Sequence, residues 1–356
     1  MCRVLILTAM SLSISRDRLE TLLEAAGKTR VVAVGDAMLD EYLVGDVERI
    51  SPEAPVPVVR VRERRYALGG VANVAQNVVA AGAECRLIAA IGSDAAGTQL
   101  GAMLDEIGVP KKGLLKVARP TTRKTRVVAR SQQLVRIDDE DDADLTSADA
   151  AKITAAIADA MQDADALILE DYNKGVLIPA VIMRAIELAR AREIPIVVDP
   201  KYRHFFAYRG ATVFKPNRRE LESALGAEVD LEHAEAIPAA VQRLAVEHLL
   251  LTLGERGMLL ASREGSLQTV ATVAREVYDV VGAGDTVTAY LAAVMGAGGS
   301  AAEAAVIANY AAGVEVGKLG AATVTPSEVL EAYDHFATQR DLPSSGSRPA
   351  ADILKG

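Results

Sequence analysis

Short runs rich in β-branched residues alternate with Ala-rich stretches of helical period between residues 31 and 323, and this alternation constrains the chain more than any other feature. It is the pattern of strands joined by crossover helices in a parallel sheet. The candidate strands are 31–35, 85–91, 166–171, 196–199, 212–215 and 249–253. Most are apolar throughout, which predicts helices on both faces. The expected fold is therefore α/β, a three-layer α/β/α sandwich with a mostly parallel central sheet. Each run ends in small or polar residues, among them Gly35-Asp36, Glu170-Asp171, Asp199-Pro200 and Lys215-Pro216-Asn217. Ligands of such sheets sit beyond the carboxyl ends of the strands, so the chemistry is expected on one edge.

Two segments break the rhythm: residues 42–63, with Pro52, Pro55 and Pro57, and residues 122–137, where basic and apolar residues alternate. Both read as antiparallel strands outside the main sheet, a small β lid that would keep water from the reaction. Residues 1–29 read as an N-terminal extension, 30–340 as the folded domain, and 341–356, rich in Ser, Gly and Pro, as a disordered tail. Residues 138–144, six acidic in seven, read as a solvated loop.

The bulk numbers narrow the partners. A net charge of −9 argues against a general nucleic-acid or anionic-membrane binder, so any anionic substrate must meet a local basic pocket. No apolar run approaches the ~18 residues that span a bilayer. Cys2 and Cys85 are too few for a disulfide framework or a zinc site, which fits a reducing cytoplasm.

The strongest chemical signal is Asp279-Val280-Val281-Gly282-Ala283-Gly284-Asp285-Thr286 ahead of the helical stretch 287–295. Gly282, Ala283 and Gly284 at a helix start would aim backbone N–H groups at an anion, with the helix dipole adding to the attraction. Asp285 there is a candidate general base; a glycine turn with an aspartate cap is the simpler alternative. Gly69-Gly70-Val71-Ala72-Asn73 starts another helix, and Asn73 offers a donor and an acceptor to sugar hydroxyls. It can equally be a helix start with glycines chosen for packing. Asp36 and Asp40, just past the first strand, are candidate acceptors for polyol hydroxyls or plain turn residues.

Taken together these segments resemble the ribokinase-like, PfkB-type carbohydrate kinases. Residues 69–73 are similar to the N-terminal signature of that family and residues 279–285 to its C-terminal signature, with Asp285 at the position of the catalytic base. Asn217-Arg218-Arg219-Glu220 is similar to the Asn-x-x-Glu element, and residues 252–257, with Thr252, Gly254 and Gly257, to the nucleotide-binding turn. The resemblance spans residues 31–333. It implies a ribokinase-like fold, ATP as phosphoryl donor, and Mg²⁺ whose water shell Glu220 organises beside Asn217. It also implies Asn309 near the adenine, and a monovalent cation held by residues 317–322 with residues near Asp279. From the residues alone, Asn217 and Glu220 also read as a helix capping box.

Within the family the chain is most similar to the kinases of D-glycero-D-manno-heptose 7-phosphate, which serve the heptose precursor of bacterial lipopolysaccharide. The carrying segments are residues 35–40, the run 49–58 with Ser51-Pro52-Glu53-Ala54-Pro55-Val56-Pro57, residues 122–126, and Asp171-Tyr172-Asn173-Lys174-Gly175. They imply transfer to the C1 hydroxyl, giving the 1,7-bisphosphate. On an extended strand Lys124, Arg126 and Arg130 would share one face, a local reversal of sign suited to a phosphate, and Lys174 would add a point charge. Asp171 is counted with them among the substrate-binding candidates. Ion pairing of these residues with the acidic run 138–144 is the alternative.

Some members of this group carry a nucleotidyltransferase domain with a His-x-Gly-His motif. His204, His233, His248 and His335 are not so arranged, so the kinase alone is expected. A Gly-x-Gly-x-x-Gly is missing after the first strand, which speaks against a dehydrogenase. A silent sugar- or nucleotide-binding regulator on the same fold, and a kinase for another sugar, stay as competing readings. The exposed strand edges of the lid suggest a homodimer.

Overall fold

The computed structural model describes residues 10–340, apart from 131, 231–235 and 275–276. The tail 341–356 and residues 1–9 lie outside the described residues. Among the described residues the central sheet has ten strands, in the order Met10–Ser11, Leu267–Val270, Met258–Ser262, His248–Thr252, Val213–Phe214, Ile196–Asp199, Ala166–Glu170, Arg30–Gly35, Glu84–Ile91 and Leu114–Lys116. Neighbours are parallel except where Met258–Ser262 pairs with the strands on either side of it. All six expected strands are present.

The apolar character of these strands follows from packing on both faces. Along Arg30–Gly35, Val31 and Ala33 enter one core while Val32 and Val34 enter the other. Ala166 and Ile168 divide from Leu167 and Leu169 in the same way. The first core is closed by helices Arg16–Ala26, Val71–Ala80, Ala283–Gly296 and Ala301–Glu315, the second by Ser147–Ala160, Pro179–Arg190 and Ala236–Leu244. Residues 16–26 are thus no appendage, contrary to the expected extension. Leu19, Leu22 and Leu23 are buried in the first core, each contributing about 1.5–3 kcal/mol by burial.

The second sheet runs Pro57–Gly70, Ala37–Ile50, Arg123–Ala129, Gln132–Asp139. Its first two strands are longer than the expected lid segment, because their inner ends continue straight from the central sheet and into a helix. Ala37 pairs with Gly70, and Gly70 is the N-cap of Val71–Ala80. Gly70 has φ 58°, and a Cβ there would stand 2.2 Å from the Asp36 carbonyl oxygen, so only glycine can make this strand-to-helix crossing. Arg130 does not continue the face of Lys124 and Arg126. The strand ends at Ala129, and Arg130 sits in the hairpin turn at φ 49°, exposed to solvent.

Candidate active site

Two helix starts far apart in sequence meet above the central sheet. Gly282 caps Ala283–Gly296 at φ 101°, leaving the N–H groups of the first turn without intrahelical partners. Asp285 projects from this turn and is buried. Its Oδ2 accepts a 2.6 Å hydrogen bond from Asn73 Nδ2, and its Oδ1 a 3.1 Å bond from the Tyr172 hydroxyl. Beneath this pair, Asn77 Nδ2 donates to the Asn73 carbonyl at 3.0 Å, and Thr286 Oγ1 donates to Asn77 Oδ1 at 3.0 Å. A buried polar chain therefore ties helix Val71–Ala80 to helix Ala283–Gly296. Burial, opposed by the Asn73 amide and reinforced by Asp199, raises the Asp285 carboxyl to about 6. At neutral pH it is ionised, yet basic enough to take a proton from a hydroxyl.

The strand ends supply the floor. Lys215 Nζ is 2.8 Å from Asp199 Oδ2, both buried, and lies 3.6 Å from where a Cβ on Gly284 would be. Burial alone would lower the Lys215 ammonium, but Asp199 and Glu170 outweigh it and hold it above its ordinary value. Glu170 is fully buried beside them, raised well above the carboxylate range by burial and by Asp199 and Asp285. Lys201 pairs with Glu220 and lies 5.2 Å from the centre of the Tyr172 ring. From the sequence Glu170, Asp199 and Lys215 have no role beyond marking the polar edge, Thr286 is part of the 279–286 motif without a role of its own, and Asn77 and Lys201 carry no signal. The usable signal was a polar residue closing an otherwise apolar strand.

The remaining expected residues divide. Asp36 is not free for hydroxyls: its carboxylate accepts the N–H groups of Tyr172, Lys174 and Val176 at 2.8, 2.9 and 3.1 Å. Burial and the neighbouring Asp171 raise it to about 6 against these bonds. Asp171 is likewise occupied, accepting from the Asn173 N–H and the Tyr208 hydroxyl, each at 2.7 Å. Both aspartates hold the loop that delivers Tyr172 to Asp285. Gly69 lies against Asp40, whose carboxylate pairs with Arg126, and Arg126 covers the Tyr42 ring. Lys124 meets Asp138 at 3.3 Å and Glu140 at 3.1 Å, and Lys174 meets Glu140 at 2.7 Å. The two lysines are thus paired with the acidic run, the alternative set out from the sequence, whereas Arg126 pairs with Asp40.

On the other side, Asn217 and Glu220 form a complete capping box, with both bonds at 2.9 Å. A parallel bridge joins Asn217 to Thr252, which brings the turn 252–257 beside it; Leu253 N–H closes that turn on the Gly257 carbonyl at 2.8 Å, with Gly254 between them. Asn309 directs its amide to the Ala271 carbonyl at 2.8 Å. Asp279 accepts from the Gly320 N–H at 3.2 Å, so residues 317–322 do adjoin it. Glu315 is buried next to Gly282, its carboxyl pushed up to about 8 by burial and by Asp279 and Asp285.

A buried carboxylate in the first turn of a glycine-capped helix thus lies on the same sheet edge as a capped Asn-x-x-Glu turn, and the chain matches the pfkB family carbohydrate kinase profile over residues 28–328. The chain belongs to that family. As a pfkB-family kinase it is a phosphotransferase acting on a sugar, with ATP and a divalent metal. It is 42% identical over 340 residues to the bifunctional protein HldE of Rhodospirillum rubrum, covering 94% of this chain and 68% of that protein. It is 46% identical over 323 residues to the bifunctional protein HldE of Gluconacetobacter diazotrophicus, covering 90% of this chain and 66% of that one. The chain thus spans about two thirds of the length of these relatives. Its fold is that of Arabidopsis thaliana ribokinase, solved with ribose and ATP (TM-score 0.68, 20% identity, 86% of this chain and 98% of that one). It is also that of Escherichia coli phosphofructokinase-2, solved with potassium (TM-score 0.70, 18% identity, 87% and 99%). No helix among the described residues is long and apolar enough to cross a membrane.

Proposed function

We propose that the chain transfers the γ-phosphate of ATP to the C1 hydroxyl of D-glycero-D-manno-heptose 7-phosphate, giving the 1,7-bisphosphate for the heptose of lipopolysaccharide. The observation that carries the transfer chemistry is the Asn73–Asp285 bond between two helix starts. Asn73 and Tyr172 fix the Asp285 carboxylate, and Asp285 takes the hydroxyl proton late in a loose transfer. The first-turn N–H groups of 282–284 face the charge developing on the phosphoryl oxygens. Lys215 adds a fixed positive charge from the strand end. Mg²⁺ on the triphosphate neutralises phosphate charge; Glu220, a carboxylate at the rim of the strand ends, suits its water shell. Asn217, Thr252, Gly254, Gly257 and Asn309 line the nucleotide side, and Asp279 with residues 317–322 holds a monovalent cation.

The choice of sugar rests on the heptose-kinase segments quoted above and on the kinship with the HldE proteins. Lys124, Arg126 and Lys174 take the 7-phosphate, which replaces the Glu140 carboxylate between the two lysines. A second copy covers the second sheet, where Ile50, Val61, Tyr66, Leu134 and Ile137 are exposed. The enzyme works in the cytoplasm, where ATP is supplied. The existing Lys–Glu140 pairs favour one other reading, a kinase for an uncharged sugar. ATP consumption over a panel of free and phosphorylated sugars with Mg²⁺ decides between them. Heptose 7-phosphate is expected to give the highest kcat/KM; turnover confined to other sugars overturns the assignment.

A further inference from the structure

Strand Ile196–Asp199 stops at Pro200, which has no N–H for the sheet ladder, and the next residue, Lys201, stands at the functional edge. Its ammonium has two neighbours. On one side it pairs with Glu220, at the start of helix Arg218–Leu225. On the other it lies over the Tyr172 ring, 5.2 Å from the ring centre, and the hydroxyl of that ring donates to Asp285 at 3.1 Å. One aromatic ring thus separates the ammonium from the proposed base. Lys201 spans the gap between the Asn-x-x-Glu turn and Asp285, and a phosphoryl group passing from ATP to a hydroxyl activated by Asp285 has to cross that gap.

The two lysines of the floor are held differently. Lys215 is buried and fixed by Asp199, itself buried, so its charge is stationary. Lys201 keeps 27% of its side chain exposed, and its ammonium ends a flexible four-carbon stem. Its partner is shared: Glu220 turns Oε1 to Lys201 while Oε2 accepts the Asn217 N–H at 2.9 Å, so Glu220 stays anchored when the ammonium leaves. Burial would lower the Lys201 ammonium, but Asp199, Glu220 and Glu170 outweigh it and hold it above its ordinary value. A triphosphate entering beside it carries denser negative charge than one carboxylate, and the floor already presents Asp199, Glu170 and Asp285 to that charge. The one movable ammonium described here is placed to offset the repulsion.

We propose that Lys201 is a catalytic residue of the transfer: its ammonium leaves Glu220 for the γ-phosphoryl oxygens and stays on them as the phosphoryl group crosses to the sugar. The bond from the γ-phosphorus to the β–γ bridging oxygen breaks as the bond to the sugar oxygen forms. ADP departs with the bridging oxygen, and the hydroxyl proton goes to Asp285. Lys201 gives up no proton and serves as positive charge where negative charge is in transit. The inference rests on the transfer geometry proposed above and does not depend on which sugar is phosphorylated.

The test separates the γ-phosphate from the rest of the nucleotide. Calorimetric titration of the full chain in Mg²⁺ compares ADP with the β,γ-imido analogue of ATP, in the wild type and in Lys201→Ala. The variant should bind the analogue about tenfold more weakly and ADP as the wild type does. Its kcat should fall about a hundredfold, with KM for the sugar unchanged. Lys201→Gln, which keeps the stem and loses the charge, should behave alike and serves if Lys201→Ala fails to fold. Equal weakening of both nucleotides would make Lys201 a staple for the capped helix, and unchanged turnover would make it a spectator; either result overturns the proposal. An inactive Asp285→Asn alongside such a result would leave the transfer chemistry standing, whereas an active one removes both.

Discussion

The floor around Asp285 and the basic face of the second sheet contain the same kinds of side chain and treat them in opposite ways. Around Asp285 the charged groups are buried and held by long-range partners, Asn73 from one helix, Tyr172 from a loop, Lys215 from a strand end. On the second sheet Lys124 and Arg123 pair with Asp138, Asp139 and Glu140 on the adjacent strand or just past it, and Arg136 pairs with Asp138 two residues along its own strand. A buried charge whose partner is removed costs several kcal/mol, whereas exposed pairs are worth about 0–1 kcal/mol. The first region is therefore preorganised, and the second exchanges partners cheaply. A transfer centre needs the former, and a surface that admits a phosphate can use the latter.

The largest effect should come from Asp285→Asn. Turnover should fall by about 10²–10⁴ while ATP affinity, measured by calorimetry, stays near that of the wild type. Retention of more than a tenth of kcat would remove the base from this carboxylate. Asn73→Ala comes next. Its amide favours the ionised form of Asp285, so its loss should raise that carboxyl above about 6. The acidic limb of log kcat/KM against pH, expected near pH 6 in the wild type, should then move to higher pH, with kcat/KM about tenfold lower at neutral pH. An unmoved limb would make Asn73 merely a packing residue.

The second sheet should respond more weakly. Lys124→Ala should raise KM for a phosphorylated sugar about tenfold and leave KM for ATP alone; equal changes in both would deny it a part in sugar binding. The smallest effect belongs to Glu140→Gln. It releases Lys174 and leaves Lys124 with Asp138 alone, so KM for the phosphorylated sugar should fall by about two- to threefold. A rise instead would show that Glu140 orders the lysines and does not compete with the phosphate.

Much of the fold is legible in the sequence. Apolar strands with polar ends fixed the layers and the functional edge, because burial on both faces leaves only the strand ends for chemistry. The segments 69–73 and 279–285 were readable as glycine-marked helix starts, because that signal is local. What escaped the sequence was partner choice. Asp36 and Asp171 look like any strand-end carboxylate, yet the loop 172–176 folds back onto them. Arg130 keeps the alternation of its strand on paper but falls in a left-handed turn. Glu170 is one letter in an apolar run, and only the pairing of its strand with Ile196–Asp199 shows how much charge gathers there.

The bond between Asn73 and Asp285 joins residues 212 positions apart. During synthesis the amide emerges from the ribosome long before the carboxylate that completes it, at roughly 5–20 residues per second. Helix Val71–Ala80 must therefore wait with the Asn73 amide and the Asn77 Oδ1 short of their late partners while most of the sheet assembles. With Asp285 as the proposed base, the transfer centre is completed late in folding, and a chain truncated before residue 285 is expected to be inactive.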